Sequence, residues 1–337
     1  MTLNSLFTDG LVLQANQPIR VFGEGGGTAK VEFCGETVEQ EFFGTTNWVM
    51  ELQPRDYGGP YEMKITLDQR ETVLRDVFVG DVFLIGGQSN MQFKMWEENT
   101  PEEYGNYPNL RLFSTTRPEG GEWFTPADGW VKASADTVGG FSAIGYLFGR
   151  ERLQQTEHAI GLVTMYQGAA VIQCVLPPNV FEQNPEYVLP IEARFDMQYP
   201  WNRELSVLYE FMLKKISPFS FGAVVWYQGE SNCSEAESLL YHQFLHHLIA
   251  SWRVELRDEK LPFVVIQIHD FLPRDTESWR RIQQAQAEAS HREQFVRTVV
   301  TKDVCETDVI HPLRKKEVAH RVARAVSELL PRREEVG

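Results

Sequence analysis

The sequence predicts a mixed α/β protein in which a small antiparallel β-domain precedes a parallel sheet covered by helices. From about residue 79 onward, short apolar runs alternate with longer amphipathic segments. Strands separated by helices imply crossover connections, and therefore a parallel sheet in a three-layer α/β/α arrangement. The preceding residues are rich in glycine and in alternating patterns. We therefore expect a β-rich accessory domain at 1–78 and an α/β domain at 79–337.

Alternation of apolar and polar residues predicts the strands of the first domain. Residues 61–67, YEMKITL, carry an apolar side chain at every second position, which is the period of a half-buried strand. Residues 29–43, AKVEFCGETVEQEFF, read as two strands around a glycine-containing turn. No long amphipathic helix is predicted in this part.

The second domain is predicted to contain five strands and five helices. A plausible N-cap, Ser142, opens the first helix, and apolar residues four apart form a stripe along the third. Two irregular stretches, 96–140 and 176–201, are expected to be loops that shape a substrate cleft. The predicted strands are 81–87, 159–168, 221–229, 261–268 and 295–303, and the predicted helices are 142–155, 202–216, 235–256, 277–291 and 313–330.

Composition excludes several classes of partner. The chain has 337 residues, with 32 Lys and Arg against 47 Asp and Glu, a formal net charge of −15. Nucleic acids and anionic membranes require a basic face, so neither is an expected partner. No apolar run approaches the roughly 18–20 residues needed to span a bilayer, and no secretory signal is visible. We expect a cytoplasmic protein, or a periplasmic or secreted one if a leader has been removed.

No metal or other cofactor is expected. The four cysteines, Cys34, Cys174, Cys233 and Cys305, are far apart and form no CxxC pair. The pair His242 and His246 has helical spacing, but Gln243 stands where a zinc protease would carry glutamate, and the apolar stripe of the same helix accounts for the neighbourhood.

Small and polar residues follow the predicted strands at the points where they end. Residues 86–90, GGQSN, follow the first strand, Gly168 follows the second, and residues 229–232, GESN, follow the third. Asp308 and His311 come after the last strand. Functional groups of parallel sheets collect at the carboxyl ends of the strands, so these residues are expected to share one edge.

The segment DVIHP near the C-terminus is a candidate base. In a turn, a spacing of three places Asp308 and His311 on one side, where the carboxylate could accept the imidazole Nδ1–H and leave Nε2 to take a proton. Asp303 also ends a strand and is an alternative partner. Taken alone, the histidine is more commonly a surface or helix-capping residue.

Ser89 is the candidate nucleophile. The strand-to-helix elbow of ordinary α/β-hydrolases is G-x-S-x-G, and residues 87–91, GQSNM, lack the second glycine. A serine attacking a carbonyl needs a base, and the resulting oxyanion needs hydrogen-bond donors. The backbone N–H groups of Ser89 and Gly168 and the side-chain amide of Asn232 are the candidate donors. Gln88 and Glu230 are possible supporting residues, Glu230 either as a second acid or by fixing its turn.

Seven stretches in order carry a family resemblance: LFTDGLVLQANQPIRVFG, GGPYEMKI, VFVGDVFLIGGQSNMQF, FSAIGYLFGRE, YQGAAVIQ, VVWYQGESN and DVIHP. Together they resemble the SGNH hydrolases, which are named for their Ser, Gly, Asn and His blocks. More narrowly, the chain is similar to the sialate O-acetylesterase-like carbohydrate esterases over most of its length. The family often has glycine, then threonine or serine, where this chain has Ala169 and Ala170.

The resemblance implies a flavodoxin-like SGNH fold and a serine esterase without a cofactor. It assigns Ser89 as the nucleophile, His311 as the base oriented by Asp308, and Gly168 and Asn232 as oxyanion donors. The implied substrate is an O-acetylated sugar or oligosaccharide, most directly an O-acetylated sialic acid. The alternatives are an acetylxylan esterase or other polysaccharide deacetylase, an inactive carbohydrate-binding protein, and a lipase-like enzyme.

Four tryptophans are candidates for stacking on a sugar ring. Trp226 lies inside an apolar run and is expected in the core, whereas Trp96, Trp123 and Trp201 fall in the predicted loops. The sequence leaves the oligomeric state open.

Overall fold

A computed structural model of the chain describes residues 1–119, 122–124, 129–190 and 204–335. Eight strands come first: β1 (Thr2–Leu3), β2 (Val12–Gln14), β3 (Ile19–Glu24), β4 (Gly27–Phe33), β5 (Glu36–Phe42), β6 (Asn47–Leu52), β7 (Gly58–Leu67) and β8 (Arg70–Gly87). Eight more follow: β9 (Tyr107–Phe113), β10 (Arg117–Glu119), β11 (Glu122–Phe124), β12 (Trp130–Ala133), β13 (Ile160–Tyr166), β14 (Ala223–Tyr227), β15 (Phe263–Ile266) and β16 (Val296–Val299).

The N-terminal strands pair mainly in antiparallel fashion. β1, β3 and β6 form one small sheet, and β4 pairs with β5 and with β7. The turn between β4 and β5 consists of Cys34 and Gly35, with φ of 48° and 79°. Positive φ at both central residues is what a tight two-residue hairpin requires, and glycine meets it without strain. The hairpin predicted from 29–43 is confirmed, and Met63 and Ile65 of β7 are buried as their alternation predicts.

β8 runs continuously through both predicted domains. Its residues 70–79 pair antiparallel with β7, and its residues 81–87 pair in parallel with β13. The predicted boundary between residues 78 and 79 therefore falls inside one strand, and the division into two domains stays a prediction.

The central sheet has the order β12–β9–β13–β8–β14–β15–β16. All pairs from β9 to β16 are parallel, and β12 adds an antiparallel edge. The five predicted strands are confirmed. β9 and β12 lie inside the stretch 96–140, which we predicted to be a loop, so that prediction is wrong for both segments. β9 shows no alternation because its last four residues, 110–113, are all buried, Arg111 among them, while its first three residues are not.

The helices are α1 (Ser89–Gln92), α2 (Met95–Glu98), α3 (Ala143–Gln155), α4 (Pro178–Gln183), α5 (Lys214–Ile216), α6 (Glu235–Glu255), α7 (Glu277–Arg292) and α8 (Lys315–Glu335). Ser142 caps α3 by accepting the Gly145 N–H at 3.0 Å, as predicted. The predicted helix at 202–216 is shorter, because within its described part Ser206 has φ of 63° and a π-helical turn at Tyr209–Leu213 leads into α5. The predicted loop 176–201 contains α4, and its residues from 191 onward lie outside the described part.

Helices cover both faces of the sheet, as the strand register shows. Phe83 of β8 is in register with Ala223 of β14, so Trp226, three residues later, points to the opposite face. Phe148 of α3 packs against Phe83 with ring centroids 4.9 Å apart, and Trp252 of α6 packs against Trp226 at 5.3 Å. Trp226 is thus a core residue, as predicted.

No helix within the described residues is both long and apolar enough to cross a membrane.

Candidate active site

Ser89 begins a helix at the carboxyl end of the central strand. β8 ends at Gly87, whose φ is 142°, and a Cβ added there would lie 2.0 Å from the Tyr227 carbonyl oxygen. Only glycine allows this close approach, which turns the chain out of the sheet. The Gln88 N–H then donates to the same Tyr227 oxygen at 2.9 Å. Ser89 is the first residue of α1, where a backbone N–H has no partner inside the helix.

Gly168 lies beside Ser89, at the end of the neighbouring strand. A Cβ built on Gly168 would lie 3.9 Å from the Ser89 Cβ. Its N–H donates to Gln92 Oε1 at 2.6 Å, so a side-chain carbonyl occupies this donor in the structure. Ala169 follows with φ of 59°, a conformation that costs a non-glycine residue about 1 kcal/mol or more. The predicted pairing of Ser89 with Gly168 therefore corresponds to real proximity.

Gln88 ties the nucleophile turn to the loop after β14. Its side-chain Oε1 accepts the N–H groups of Gly229 at 3.3 Å and Ser231 at 3.2 Å, and the amide of Gln228 at 3.2 Å. Gln88 is buried, so these bonds are shielded from water. The supporting role that we predicted for Gln88 thus has a structural counterpart: it holds two strand-end loops together.

Asn90, for which the sequence motifs predict no role, connects three segments. Its Nδ2 donates to Glu230 Oε1 at 2.6 Å and to the Ile310 carbonyl at 3.0 Å. Its Oδ1 accepts from Lys315 Nζ at 2.6 Å. Glu230 therefore acts on the residue beside Ser89 rather than on its own turn alone. No sequence pattern marked Lys315, because a lysine at a helix start ordinarily points into solvent.

Asn232 is buried, and its side-chain amide is fully engaged by neighbouring groups. Its Nδ2 donates to Gln173 Oε1 at 2.7 Å, and its Oδ1 accepts the Ile172 N–H at 2.9 Å. In the reversed orientation the NH₂ group would face the Ile172 N–H, and two donors would meet, so the orientation of the amide is fixed. Asn232 thus links the loop after β14 to the segment that follows Gly168, and its donation to an oxyanion stays a prediction.

His311 stands close to the nucleophile turn. Its ring centroid lies 6.4 Å from that of Phe93, and the preceding residue, Ile310, is bonded to Asn90. One residue earlier, the Val309 carbonyl accepts a hydrogen bond from Nε2 of the buried His269 at 2.9 Å. Two buried side chains thus hold the backbone that leads into His311, whose own side chain is partly buried and partly open to solvent.

Asp308 and His311 do not contact each other in the structure. Both residues are described, and neither a hydrogen bond nor an ion pair joins them. The spacing argument fails because no backbone hydrogen bond closes a turn between residues 308 and 311. The alternative partner, Asp303, is exposed and pairs with Arg321 through both carboxylate oxygens at 2.7 Å. Asp303 is therefore not the partner of His311.

Burial governs the protonation of the side chains around Asn90. It raises the pKa of the Glu230 carboxyl, although the hydrogen bond from Asn90 and the charge of Lys315 both act to lower that pKa. It lowers the pKa of Lys315 to about 8, although nearby acidic groups act to raise that pKa. It also lowers the pKa of His311, with the Lys315 charge adding to the effect and Glu97 opposing it. A histidine with a lowered pKa is neutral at physiological pH, as a general base requires.

The remaining candidates lie outside this cluster. His246 pairs with Glu293 through Nδ1 at 2.5 Å, and within the described ranges no three His, Cys, Asp or Glu side chains come together as metal ligands would. Trp96 is 62% exposed, as a stacking residue must be. The side chain of Trp123 and the whole of Trp201 lie outside the described part of the structure.

The family model of carbohydrate esterases described as sialic acid-specific acetylesterase matches residues 79–328. The chain belongs to this family. The resemblance predicted from the motif blocks is thereby confirmed, and the chain is a carboxylic ester hydrolase that acts on carbohydrates.

Individual relatives agree with this membership. The sialate O-acetylesterase of Rattus norvegicus is 28% identical over 376 aligned residues, which cover 91% of this chain and 69% of the relative. A solved carbohydrate acetylesterase from Xanthomonas citri superposes with a TM-score of 0.84 and 28% identity, covering 98% of this chain and 75% of the other. A solved protein from Arabidopsis thaliana, 20% identical with a TM-score of 0.52 over 74% of this chain and 98% of its own, shares the fold.

Proposed function

We propose that this esterase removes O-acetyl groups from a sialic acid through an acetyl-enzyme intermediate on Ser89. The observation that carries the proposal is the junction at the end of β8. There Ser89 starts a helix beside the Gly168 N–H, and its neighbour Asn90 is bonded to the residue that precedes His311. Nucleophile, oxyanion donor and base thus come from three separate segments that meet at one point, the arrangement that acyl transfer requires.

Ser89 Oγ attacks the acetyl carbonyl carbon while His311 accepts its proton. The tetrahedral intermediate collapses, the bond from carbon to the sugar oxygen breaks, and His311 returns the proton to that oxygen. Water, deprotonated by His311, then attacks the acetyl-enzyme. The bond from carbon to Ser89 Oγ breaks, His311 returns the proton to Oγ, and acetic acid leaves and ionises to acetate. Acylation and deacylation each begin with a neutral imidazole that accepts a proton, which fits the lowered pKa of His311.

The oxyanion is held by the backbone N–H groups of Ser89 and Gly168. Gln92 Oε1 accepts the Gly168 N–H in the structure, so it has to move when the acetyl oxygen arrives. Each donor of this kind is typically worth about 2.7–4 kcal/mol of transition-state stabilisation. Asn232 contributes indirectly, by fixing the segment that follows Gly168 through its bond to Ile172.

Asp308 orients His311 once substrate is bound. The two side chains belong to one exposed loop and are not in contact in the structure. Catalytic hydrogen bonds are commonly long or misaligned before substrate binds and shorten in the complex. The proposal thus includes a rearrangement of side chains within residues 308–311, while the backbone bonds to His269 and Asn90 keep the loop in place.

The architecture around this site is, in our proposal, the flavodoxin-like three-layer form of the SGNH hydrolases. The parallel order of the central sheet and the helices on both faces support it.

The test is acetate release from O-acetylated sialic acid, with p-nitrophenyl acetate as a general ester. Ser89→Ala is expected to lower kcat by about 10⁴-fold or more, as removal of the nucleophile does in serine hydrolases. A fluorophosphonate probe should label the native enzyme and not this variant. Ser231→Ala is the matched control, because it replaces a serine on the neighbouring loop whose contact to Gln88 is made by the backbone. Unchanged turnover in Ser89→Ala would disprove the nucleophile assignment.

The same assay distinguishes the other carbohydrate substrates. Faster acetate release from acetylated xylan than from O-acetylated sialic acid would favour an acetylxylan esterase. Absence of both turnover and labelling would leave a carbohydrate-binding protein.

A further inference from the structure

Lys315 is a buried cation that the proposed mechanism does not use. It is the first residue of α8 and is 1% exposed. Its ammonium lies 2.6 Å from Asn90 Oδ1 and 4.8 Å from the centre of the Phe93 ring. An ammonium withdrawn from water costs several kcal/mol unless its surroundings compensate for the lost hydration. Here one amide oxygen and the faces of aromatic rings do so, with no carboxylate close enough to form an ion pair among the described residues.

The ammonium determines which way the Asn90 amide points. An ammonium only donates hydrogen bonds, so the atom that faces Lys315 must be the amide oxygen. The NH₂ group then faces the opposite way, toward Glu230 Oε1 and the Ile310 carbonyl oxygen. A carbonyl oxygen and an ionised carboxylate can accept hydrogen bonds but cannot donate them. In the reversed orientation, the NH₂ group would face the ammonium, so that two donors would meet. The amide oxygen would face two other acceptors. All three bonds therefore depend on one orientation.

This orientation of the Asn90 amide connects the segment of the nucleophile to the segment of the base. Asn90 directly follows Ser89, and Ile310 directly precedes His311. The bond of 3.0 Å from Asn90 Nδ2 to the Ile310 carbonyl thus joins the nucleophile turn to the loop that carries the base. A displacement of about 1 Å between reacting groups can cost about 100-fold in rate.

We propose that Lys315 is a positioning residue, whose buried ammonium orients the Asn90 amide and thereby holds the His311 loop against the Ser89 turn. The proposal rests on the proposed function, in which Ser89 and His311 carry out the reaction.

The same charge acts on His311. Partial burial and the Lys315 ammonium lower the pKa of His311, and Glu97 of α2 raises it. His269, from the segment after β15, has a pKa that is itself lowered by burial, so it adds no charge at neutral pH. Asp308, on the same loop as His311, makes no contact with it. Removal of the Lys315 charge should therefore raise the His311 pKa and move the acid limb of the pH profile to higher pH.

The test compares Lys315→Met with Lys316→Met on p-nitrophenyl acetate. Methionine approximates the length of lysine without charge or donor, and Lys316 is a neighbouring lysine that is 64% exposed and pairs with Glu103. We expect Lys315→Met to lower kcat at least about tenfold, with KM changed less than about threefold, since the loss is in alignment rather than in binding. Its acid limb should lie at higher pH than that of the native enzyme. Lys316→Met should match the native enzyme in both respects.

Lys315→Gln separates the hydrogen bond from the charge. Glutamine supplies a neutral donor, so kcat should recover in part while the acid limb stays at higher pH. Native kcat and an unshifted limb in Lys315→Met would overturn the proposal. Failure of both Lys315 variants to fold, judged by circular dichroism, would assign the residue to stability alone and overturn it as well.

The native enzyme and Ser89→Ala are run beside these variants. A native enzyme that fluorophosphonate does not label, or a Ser89→Ala variant with full activity, overturns the proposed function. Labelling of Ser89 together with an unaltered Lys315→Met overturns only the positioning role.

Discussion

The two ends of β8 within the central sheet carry buried polar clusters of opposite design. At residue 81, where the parallel pairing begins, the Asp81 carboxylate meets Tyr57 at 3.1 Å, His158 at 3.2 Å and Arg152 at 3.5 Å. At the carboxyl end, Asn90 joins Glu230 and Lys315, each of which is buried with little else to compensate its charge.

Their electrostatics differ accordingly. Burial works to raise the pKa of Asp81, but hydrogen bonding to His158 and the charges of its neighbours hold that pKa below its ordinary value. For Glu230 burial prevails and the pKa is raised, and for Lys315 it is lowered to about 8. The folded state thus favours the ionised form of Asp81 and disfavours the ionised forms of Glu230 and Lys315. The first cluster stabilises the fold, whereas the second costs stability and is explained by what it positions.

Among the changes that compare the two clusters, the largest effect is expected from Asn90→Leu, which replaces the amide with an apolar side chain of similar size. It leaves Glu230 and Lys315 buried without their shared partner and separates the His311 loop from Ser89. We expect kcat/KM to fall by about 100-fold or more and the free energy of unfolding to fall by about 3–5 kcal/mol. Steady-state kinetics and denaturant titration measure the two. A change in stability without a change in activity would show that the Asn90 cluster, like the Asp81 cluster, serves stability and not catalysis.

Asp81→Asn is the corresponding change at the other end. It removes the negative partner of a buried ion cluster, so the free energy of unfolding at neutral pH should fall by about 3 kcal/mol. The kcat of the folded variant should equal that of the native enzyme, because the cluster lies at the end of the strand opposite Ser89. Urea titration and the esterase assay test this, and a large loss of kcat without loss of stability would contradict it.

The Asp81 contribution should depend on pH in a defined direction. The pKa of Asp81 is lower in the folded than in the unfolded chain. As the pH falls, the unfolded chain therefore binds a proton at Asp81 before the folded chain does, which favours unfolding. The stability advantage of the native enzyme over Asp81→Asn should therefore be complete above the unfolded value of 3.8 and disappear as the pH falls through the lower folded pKa. Acid titrations of both proteins, followed by circular dichroism, measure it. An advantage that persists unchanged to the lowest pH would be inconsistent with this assignment.

Activity should have its own pH dependence, set by the carboxyl end. His311 must be neutral to act, so kcat/KM is lost as the pH falls through its pKa. Because that pKa is lowered from 6.5, the acid limb should lie below pH 6.5. Glu97→Gln removes the charge that raises this pKa and should move the limb further down. A limb at or above pH 6.5 in the native enzyme would contradict the described surroundings of His311.

The smallest effect is expected from Gln92→Ala. It removes the carbonyl that accepts the Gly168 N–H at 2.6 Å and so frees an oxyanion donor. A hydrogen bond of this kind contributes about 0.5–1.5 kcal/mol, so kcat/KM should rise by no more than about tenfold. A decrease instead would show that Gln92 assists the reaction rather than competing with it.

The sequence by itself determined five strands of the central sheet and most helices of the α/β part, because their periodicities are local, but it did not reveal β9 and β12. It also determined which residues reach the carboxyl edge, since parallel strands place their ends together whatever the details of packing. Ser89, Gly168 and His311 were found in this way.

Only the tertiary structure decided how those residues are bonded. The partners of Asn90 lie 140 and 225 positions away in the chain, and no local pattern predicts which of several polar groups an amide will meet at that range. For the same reason no local pattern indicates that the Asn232 amide is bonded to Gln173, 59 positions away. Burial then determined the charges: Lys315 resembles a solvent-exposed lysine in the sequence, and only the packing of α8 against α3 and the central sheet places its ammonium on Asn90.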